Sequence, residues 1–254
     1  MKTAIKLVLV YFLLQLLGGL TASPLIMLYV YLVGDSLDFA EVERLQLAPA
    51  MLLGFVYTIY YLRSAGHLSG LKEWLSPLSV PTMLWGFLGG VAVVTLSDMV
   101  ISQLTFLPDL MKDTFASLQS GWLGILCMAV LGPILEELLF RGAITKVLLE
   151  KYEPTTAILL SGLVFGVFHI NPVQVVSATL AGFFFAWLYF KTRNLLPCML
   201  IHIFNNSLSV YLTKTYPEVE TTAELLGTTW VIVIGVMSAA VLVLAVKQLN
   251  QKNW

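Results

Sequence analysis

The sequence predicts an all-α, polytopic membrane helix bundle of about eight transmembrane helices, and three observations carry that expectation. Hydrophobic residues make up 58% of the 254 positions and charged residues 11%. An ordinary soluble domain carries roughly 25% charge, so this chain lacks the polar surface that water would require. The apolar residues also fall into runs long enough to cross a hydrocarbon core of ~30 Å, which takes about 20 helical residues. Finally, the basic residues crowd into alternate connections between those runs. These features argue against a soluble enzyme, a disordered chain and a nucleic-acid partner, and they make membrane lipid the first partner. Cys127 and Cys198 both lie inside apolar runs, where a thiol reads as a small packed hydrophobe rather than half of a disulfide.

The first run covers 7–33. Lys2 and Lys6 ahead of Leu7–Leu17 resemble a signal peptide, with Thr21-Ala22-Ser23 as a poor cleavage region. Pro24 and the continued run Leu25–Val33 favour a retained, kinked helix instead. The second and third runs cover 46–63 and 82–107, the latter with Gly86 and Gly90 on one face. The fourth, 121–148, is interrupted by an acidic pair. The fifth, 155–170, is short and credible only packed inside the bundle or continued past its apparent end. Gly162 and Gly166 share one of its faces. The sixth, 173–190, presents Ala178, Gly182 and Ala186 along one stripe, a spacing that lets helices approach closely in lipid. The seventh and eighth cover 195–213 and 228–247. With no internal repeat or linker, residues 1–254 read as one integral-membrane domain, with 121–213 as core helices.

With the N-terminus inside, the inner connections receive Lys2, Lys6, Arg63, Lys72, Arg141, Lys146, Lys151, Lys191, Arg193, Lys247 and Lys252. The outer ones receive only Arg44, Lys112 and Lys214, of 14 basic residues in all. The positive-inside rule then expects both termini in the cytoplasm. Acidic residues collect on the other side, at Asp35, Asp38, Glu41 and Glu43, at Asp109 and Asp113, and at Glu218, Glu220 and Glu224. Aromatic residues such as Trp122 and Trp230, or Trp74, Trp85 and Trp187, mark the two interfaces.

Polar residues inside the spans need a reason, because a charge there costs at least ~2.5–3.5 kcal/mol on insertion scales. Glu136 and Glu137 follow Gly132-Pro133-Ile134-Leu135, and Arg141 comes one turn after Glu137, on its face and in the favourable acid-first order. Glu136 points about 100° away and has no partner nearby in sequence. His169 ends the fifth run, and His202 and Asn206 lie one turn apart on the seventh, while Asn205 points elsewhere. Glu136 and His169 each lie about 16 residues from the turn at Tyr152-Glu153-Pro154, hence ~24 Å along their helices and at one level. Asn206 comes ~20 Å from the inner connection, so four polar groups share a depth. A lone intramembrane His or Asn is as well explained by an interhelical hydrogen bond; four at one level are not. Asp98 falls near the outer interface and reads as snorkelling or an interhelical contact. His67 reads as a solvated loop residue.

Glu136-Glu137-x-x-x-Arg141, Phe165-x-x-x-His169 and His202-x-x-x-Asn206 resemble the three motifs of the CPBP family. That family comprises type-II CAAX prenyl endopeptidases and bacterial relatives that include bacteriocin-processing and immunity proteins. Pro133, Arg141-Gly142 and Leu196-Pro197 fit its flanks. The resemblance covers about 133–206 and implies an intramembrane endopeptidase, acting on a peptide or protein substrate, open to the cytosolic side, and here expected in a bacterial cytoplasmic membrane. It implies that Glu136 and His169 activate a water, that His202 and Asn206 stabilise the oxyanion, and that Glu137, Arg141 and Phe165 support the site. No cofactor is the favoured expectation. Zinc held by Glu136, His169 and His202 is the rival, although the chain has no H-E-x-x-H. Two further readings stay open: a non-catalytic immunity or regulatory protein, and a proton-coupled transporter, for which no inverted repeat speaks.

Overall fold

The structure, a computed structural model, describes residues 1–34, 38–68, 70, 76–219 and 221–251. Asp35, Lys72, Trp74, Glu220 and Lys252, invoked above for orientation, lie outside the described residues. Each apolar run is helical. Helix α1 is Lys2–Gly34, α2 Phe39–Ser64 and α3 Val80–Ile101, followed by a short α4, Lys112–Gln119. Helix α5 spans Trp122–Leu149. Then come α6 Pro154–Phe168, α7 Pro172–Thr192, α8 Leu196–Thr215, a one-turn α9 Thr222–Leu226, and α10 Thr228–Asn250.

Among the described residues, six helices are long and apolar enough to cross a membrane: α1, α2, α3, α5, α7 and α10. The chain is an integral membrane protein. The other two of the eight expected crossings differ for physical reasons. Helix α6 has 15 residues, about 22 Å at 1.5 Å per residue, less than the ~30 Å core. Helix α8 has length enough at 20 residues, but His202, Asn205 and Asn206 dilute its apolar character. The helices that fall short are thus the one that ends just before His169 and the one that carries His202.

Several boundaries move. Helix α2 begins at Phe39, seven residues before the expected run, because Asp38 accepts the Ala40 and Glu41 N–H groups as an N-cap. Glu41, Glu43 and Arg44 are therefore helical rather than loop residues. Helix α3 stops at Ile101 instead of 107, and the apolar Leu104 and Phe106 continue as turns. Asp98 makes an interhelical contact, accepting from the Thr222 hydroxyl at 2.5 Å. His67 is half-buried against Tyr61.

The bundle is assembled from close pairs: α1 with α2, α3 with α10, and α6 with α7, while α8 packs on α3 and α5. Small residues set these approaches. A Cβ on Gly182 would stand 3.0 Å from the Gly162 Cα, so the α6–α7 hairpin closes backbone to backbone. A Cβ on Gly90 would enter the Ile201 side chain, which seats α8 on α3. The largest apolar cluster joins Leu139, Phe140, Ile144 and Leu148 to Phe165, with Leu7 and Leu62 closing it from α1 and α2.

Helix α5 is not uniform. Cys127–Leu131 and Leu138–Thr145 are π-helical, and the six α-helical residues between them, Gly132–Glu137, end in the acidic pair. Such wide turns recur at functional sites because they re-aim side chains.

Candidate active site

The two π segments decide what α5 presents. The Gly132 N–H bonds to the Cys127 carbonyl, five residues back, and Pro133 has no N–H to give. The Met128 carbonyl is thereby left without its usual helical donor. Asn206 supplies one, its Nδ2 donating to that oxygen at 3.1 Å. Asn205 Nδ2 in turn donates to Asn206 Oδ1 at 3.0 Å. The amide of Asn206 is thus held by α5 backbone, one turn beyond His202.

After Pro133 the chain turns Glu137 fully inward. Glu137 and Arg141 are both 0% exposed. Glu137 Oε1 accepts from Arg141 Nη1 at 3.0 Å and from His202 Nδ1 at 2.8 Å. A carboxylate can only accept, so Nδ1 carries the proton. Arg141 Nη2 donates to the Gly182 carbonyl at 3.4 Å, an oxygen exposed to it because Gly182 has no side chain. The guanidinium lies 4.2 Å from the Phe165 ring centroid and 5.0 Å from that of Phe185, a stacking that suits its planar, weakly hydrated charge. Phe165 also stands edge-on to His169 and His202, with centroids 4.9 and 5.9 Å away.

Glu136 is different. It retains 17% side-chain exposure, and its Oε2 is buried with no hydrogen-bond partner among the described residues. His169 Nε2 stands 3.7 Å from that oxygen and His202 Nε2 3.8 Å. These separations exceed a hydrogen bond. His169 Nδ1 donates to the Phe165 carbonyl at 2.8 Å, so in the neutral ring Nε2 is the acceptor facing Glu136. The structure therefore brings Glu136, His169 and His202 around one point, with Glu137, Arg141 and Phe165 behind His202. Asn206 is placed on the Met128 carbonyl rather than in direct contact with the other three.

Sequence reasoning missed several members. The Glu137–His202 bond spans 65 residues, and no local spacing announces it. Gly182 was visible only as a packing residue, and Phe185 was not singled out. Tyr11 on α1 was not singled out, yet its ring lies 4.8 Å from Phe168 and packs against the cluster of Phe55, Cys127 and Leu135. It thus touches the neighbours in sequence of both His169 and Glu136.

The arrangement defines a class: a polytopic membrane protein with a carboxylate and two imidazoles facing one another inside its helices. Residues 118–208 match the family described as type II CAAX prenyl endopeptidase Rce1-like, a stretch that holds every residue of the site except Tyr11. Over that stretch the chain is similar to the CPBP family. It is also similar to the Bacillus subtilis (strain 168) protein named "Putative membrane peptidase YdiL", with 32% identity over 109 residues, 41% of this chain and 45% of that protein. The chain thus matches under half the length of that relative. No solved structure matches the chain.

Proposed function

We propose that this protein is an intramembrane endopeptidase that hydrolyses a peptide bond of a membrane-associated or lipidated substrate, in the cytoplasmic membrane of a bacterium. The observation that carries the reading is Glu136, unpartnered at Oε2 and faced by two imidazole nitrogens at 3.7 and 3.8 Å. A carboxylate spared other hydrogen bonds is suited to take a proton from water. The family match supports a peptidase as the class of enzyme.

In the proposed reaction, a water held between Glu136 and His169 attacks the scissile carbonyl carbon. Its proton goes to Glu136 as the C–O bond forms, and the carbonyl oxygen becomes an oxyanion. The same proton passes to the leaving amine as the C–N bond breaks. His202 and the second N–H of Asn206 donate to the oxyanion. Because His202 Nδ1 already donates to Glu137, a ring that also donates through Nε2 is the imidazolium.

One observation favours a second reading, in which Glu136, His169 and His202 hold zinc. Both rings commit Nδ1 to a carbonyl or carboxylate, the arrangement typical of imidazoles whose Nε2 binds metal, and the donor types suit zinc. The spacing fits less well. Ligands at about 2.0–2.1 Å from a tetrahedral zinc stand roughly 3.3 Å apart, and no cluster of three such side chains among the described residues has metal-binding geometry. No step above is routed through a metal.

The test compares newly formed peptide termini in membranes of cells carrying wild type or Glu136→Ala, then assays a cleaved sequence with protein purified in detergent. A cleavage present only with wild type is expected; no difference would overturn the proposal. Chelation should leave turnover intact, whereas stoichiometric zinc that tracks activity through stripping and return would select the second reading.

Both termini are proposed to be cytoplasmic. Arg141 is buried and leaves the tally of loop charges, but the inward bias of the other basic residues keeps its sign. A reporter fused after Asn250 should read cytoplasmic, and an extracytoplasmic signal would reverse the orientation.

A further inference from the structure

The turn that follows His169 is built unlike an ordinary helix end. The His169 N–H bonds to the Gly166 carbonyl at 3.1 Å, three residues back, so the last turn of α6 tightens. The Phe165 carbonyl, one turn below, is thereby left for the His169 ring. The next residue, Ile170, has φ +60°, a left-handed conformation in which a β-branched residue is a genuine outlier. Its side chain is 65% exposed and offers little packing to hold it there. Asn171 N–H then closes on the His169 carbonyl at 2.6 Å. Backbone persists in such a shape only where its surroundings over-determine it.

Asn171 is 1% exposed, and its side chain supplies that determination. Its Oδ1 accepts the Leu110 N–H at 2.9 Å, and its Nδ2 donates to Asp109 Oδ1 at 2.9 Å and to Gln174 Oε1 at 3.4 Å. Asp109 Oδ1 also accepts the Met111 N–H at 3.1 Å, which fixes the carboxylate on its own loop. Pro172 opens α7 directly afterwards. The segment before α4 thus clamps the α6–α7 turn from 62 residues away, and the Leu110 and Met111 N–H groups of that segment are satisfied in the same cluster.

We infer that Asn171 and Asp109 are a positioning pair for His169: by pinning the strained turn they free the Phe165 carbonyl to hold the ring as its Nδ1–H tautomer, with Nε2 toward Glu136. What His169 then does rests on the endopeptidase reading; how it is held does not. Neither residue touches the reacting atoms. The pair is coupled, so exchanging the two side chains as Asp109→Asn with Asn171→Asp should keep the link, with the amide now donating from the other side and the Leu110 N–H still accepted.

The experiment reads the ring directly. Nitrogen-15 shifts of the three histidines are recorded in detergent for wild type, Asn171→Ala, Asp109→Ala and the exchanged double variant, with His169→Gln assigning the signal. Wild type and the exchanged variant are expected to show one Nδ1–H tautomer at His169, and the alanine variants a mixture, with His202 unchanged. In the cleavage assay the alanine variants should lose kcat roughly tenfold with KM little changed, since a displacement of about 1 Å can cost a hundredfold. Asp109 is exposed, so its alanine variant keeps the test open if Asn171→Ala fails to fold. An unchanged His169 tautomer in folded Asp109→Ala, or an exchanged variant no better than the singles, overturns the inference. A protein that shows the expected shifts yet cleaves nothing would sink the endopeptidase reading alone.

Discussion

Glu136 and Glu137 are neighbours on one helix and meet opposite fates. Glu137 is 0% exposed, and one of its oxygens accepts from both Arg141 and His202. Glu136 is partly exposed, and its buried oxygen faces two imidazoles at distances too long for hydrogen bonds. The first charge is held at Oε1 between a guanidinium and an imidazole and acts as a strut, although its Oε2, like that of Glu136, is buried without a hydrogen bond. The second is partly exposed, has no bonded cation and faces two imidazoles, which leaves it open to a water and its proton. The difference comes from the roughly 100° between consecutive helical residues and from the π turn after Glu137, which carries Arg141 into the core.

The largest expected effect breaks the pair on the Glu136 side. Glu136→Gln keeps the shape and removes the base, so cleavage should fall by about 10²–10⁴-fold, the range general-base catalysis supplies. The thermal midpoint should hold or rise, because no partner is lost. A variant that cleaves at near wild-type rate would strip Glu136 of its proposed role.

Glu137→Gln should do the reverse in emphasis. It leaves Arg141 buried with no carboxylate, and uncompensated buried charges of that kind cost about 3–5 kcal/mol. Taking the lower end, the thermal midpoint should drop by roughly 6–12 °C. Turnover should fall as well, since His202 Nδ1 loses its anionic acceptor. If Glu137→Gln melts like wild type while Glu136→Gln does not, the two roles are exchanged.

This division was half legible in the sequence. The i, i+4 spacing of Glu137 and Arg141 announced their bridge, and the shared depth of Glu136, His169 and His202 announced a meeting. Those are properties of helical rise and periodicity, which a sequence carries openly. The His202–Glu137 bond was not legible, because it depends on how α8 meets α5 while Ile201 seats α8 over Gly90 of α3. Nor was the tie of Asn206 to Met128: Pro133 could be seen, but the carbonyl it orphans depends on the π register of α5. The two expected crossings not among the six long apolar helices, α6 and α8, differ from the rest for a related reason. An apolar run states that a segment is buried, and in these two helices part of the burial is against protein.

The finest test of the comparison changes Arg141 while keeping its charge. Arg141→Lys retains a cation for Glu137 but loses the fork that reaches Nη1 to the carboxylate and Nη2 to the Gly182 carbonyl. It also loses the planar face 4.2 Å from Phe165. An ammonium is a compact, strongly hydrated charge and stacks poorly, so a loss of about 1 kcal/mol is expected from the aromatic contact. That corresponds to a fall of roughly 2–4 °C in the thermal midpoint. The Glu137–His202 bond persists in this variant, and Glu136 is untouched, so kcat should stay within about threefold of wild type, less than the tenfold that 1.36 kcal/mol would give. Thermal melts and the peptide assay on the same preparation decide it. A folded Arg141→Lys protein as inert as Glu136→Gln would mean that the guanidinium takes part in the chemistry, and the line drawn between strut and base would have to move to the other side of Glu137.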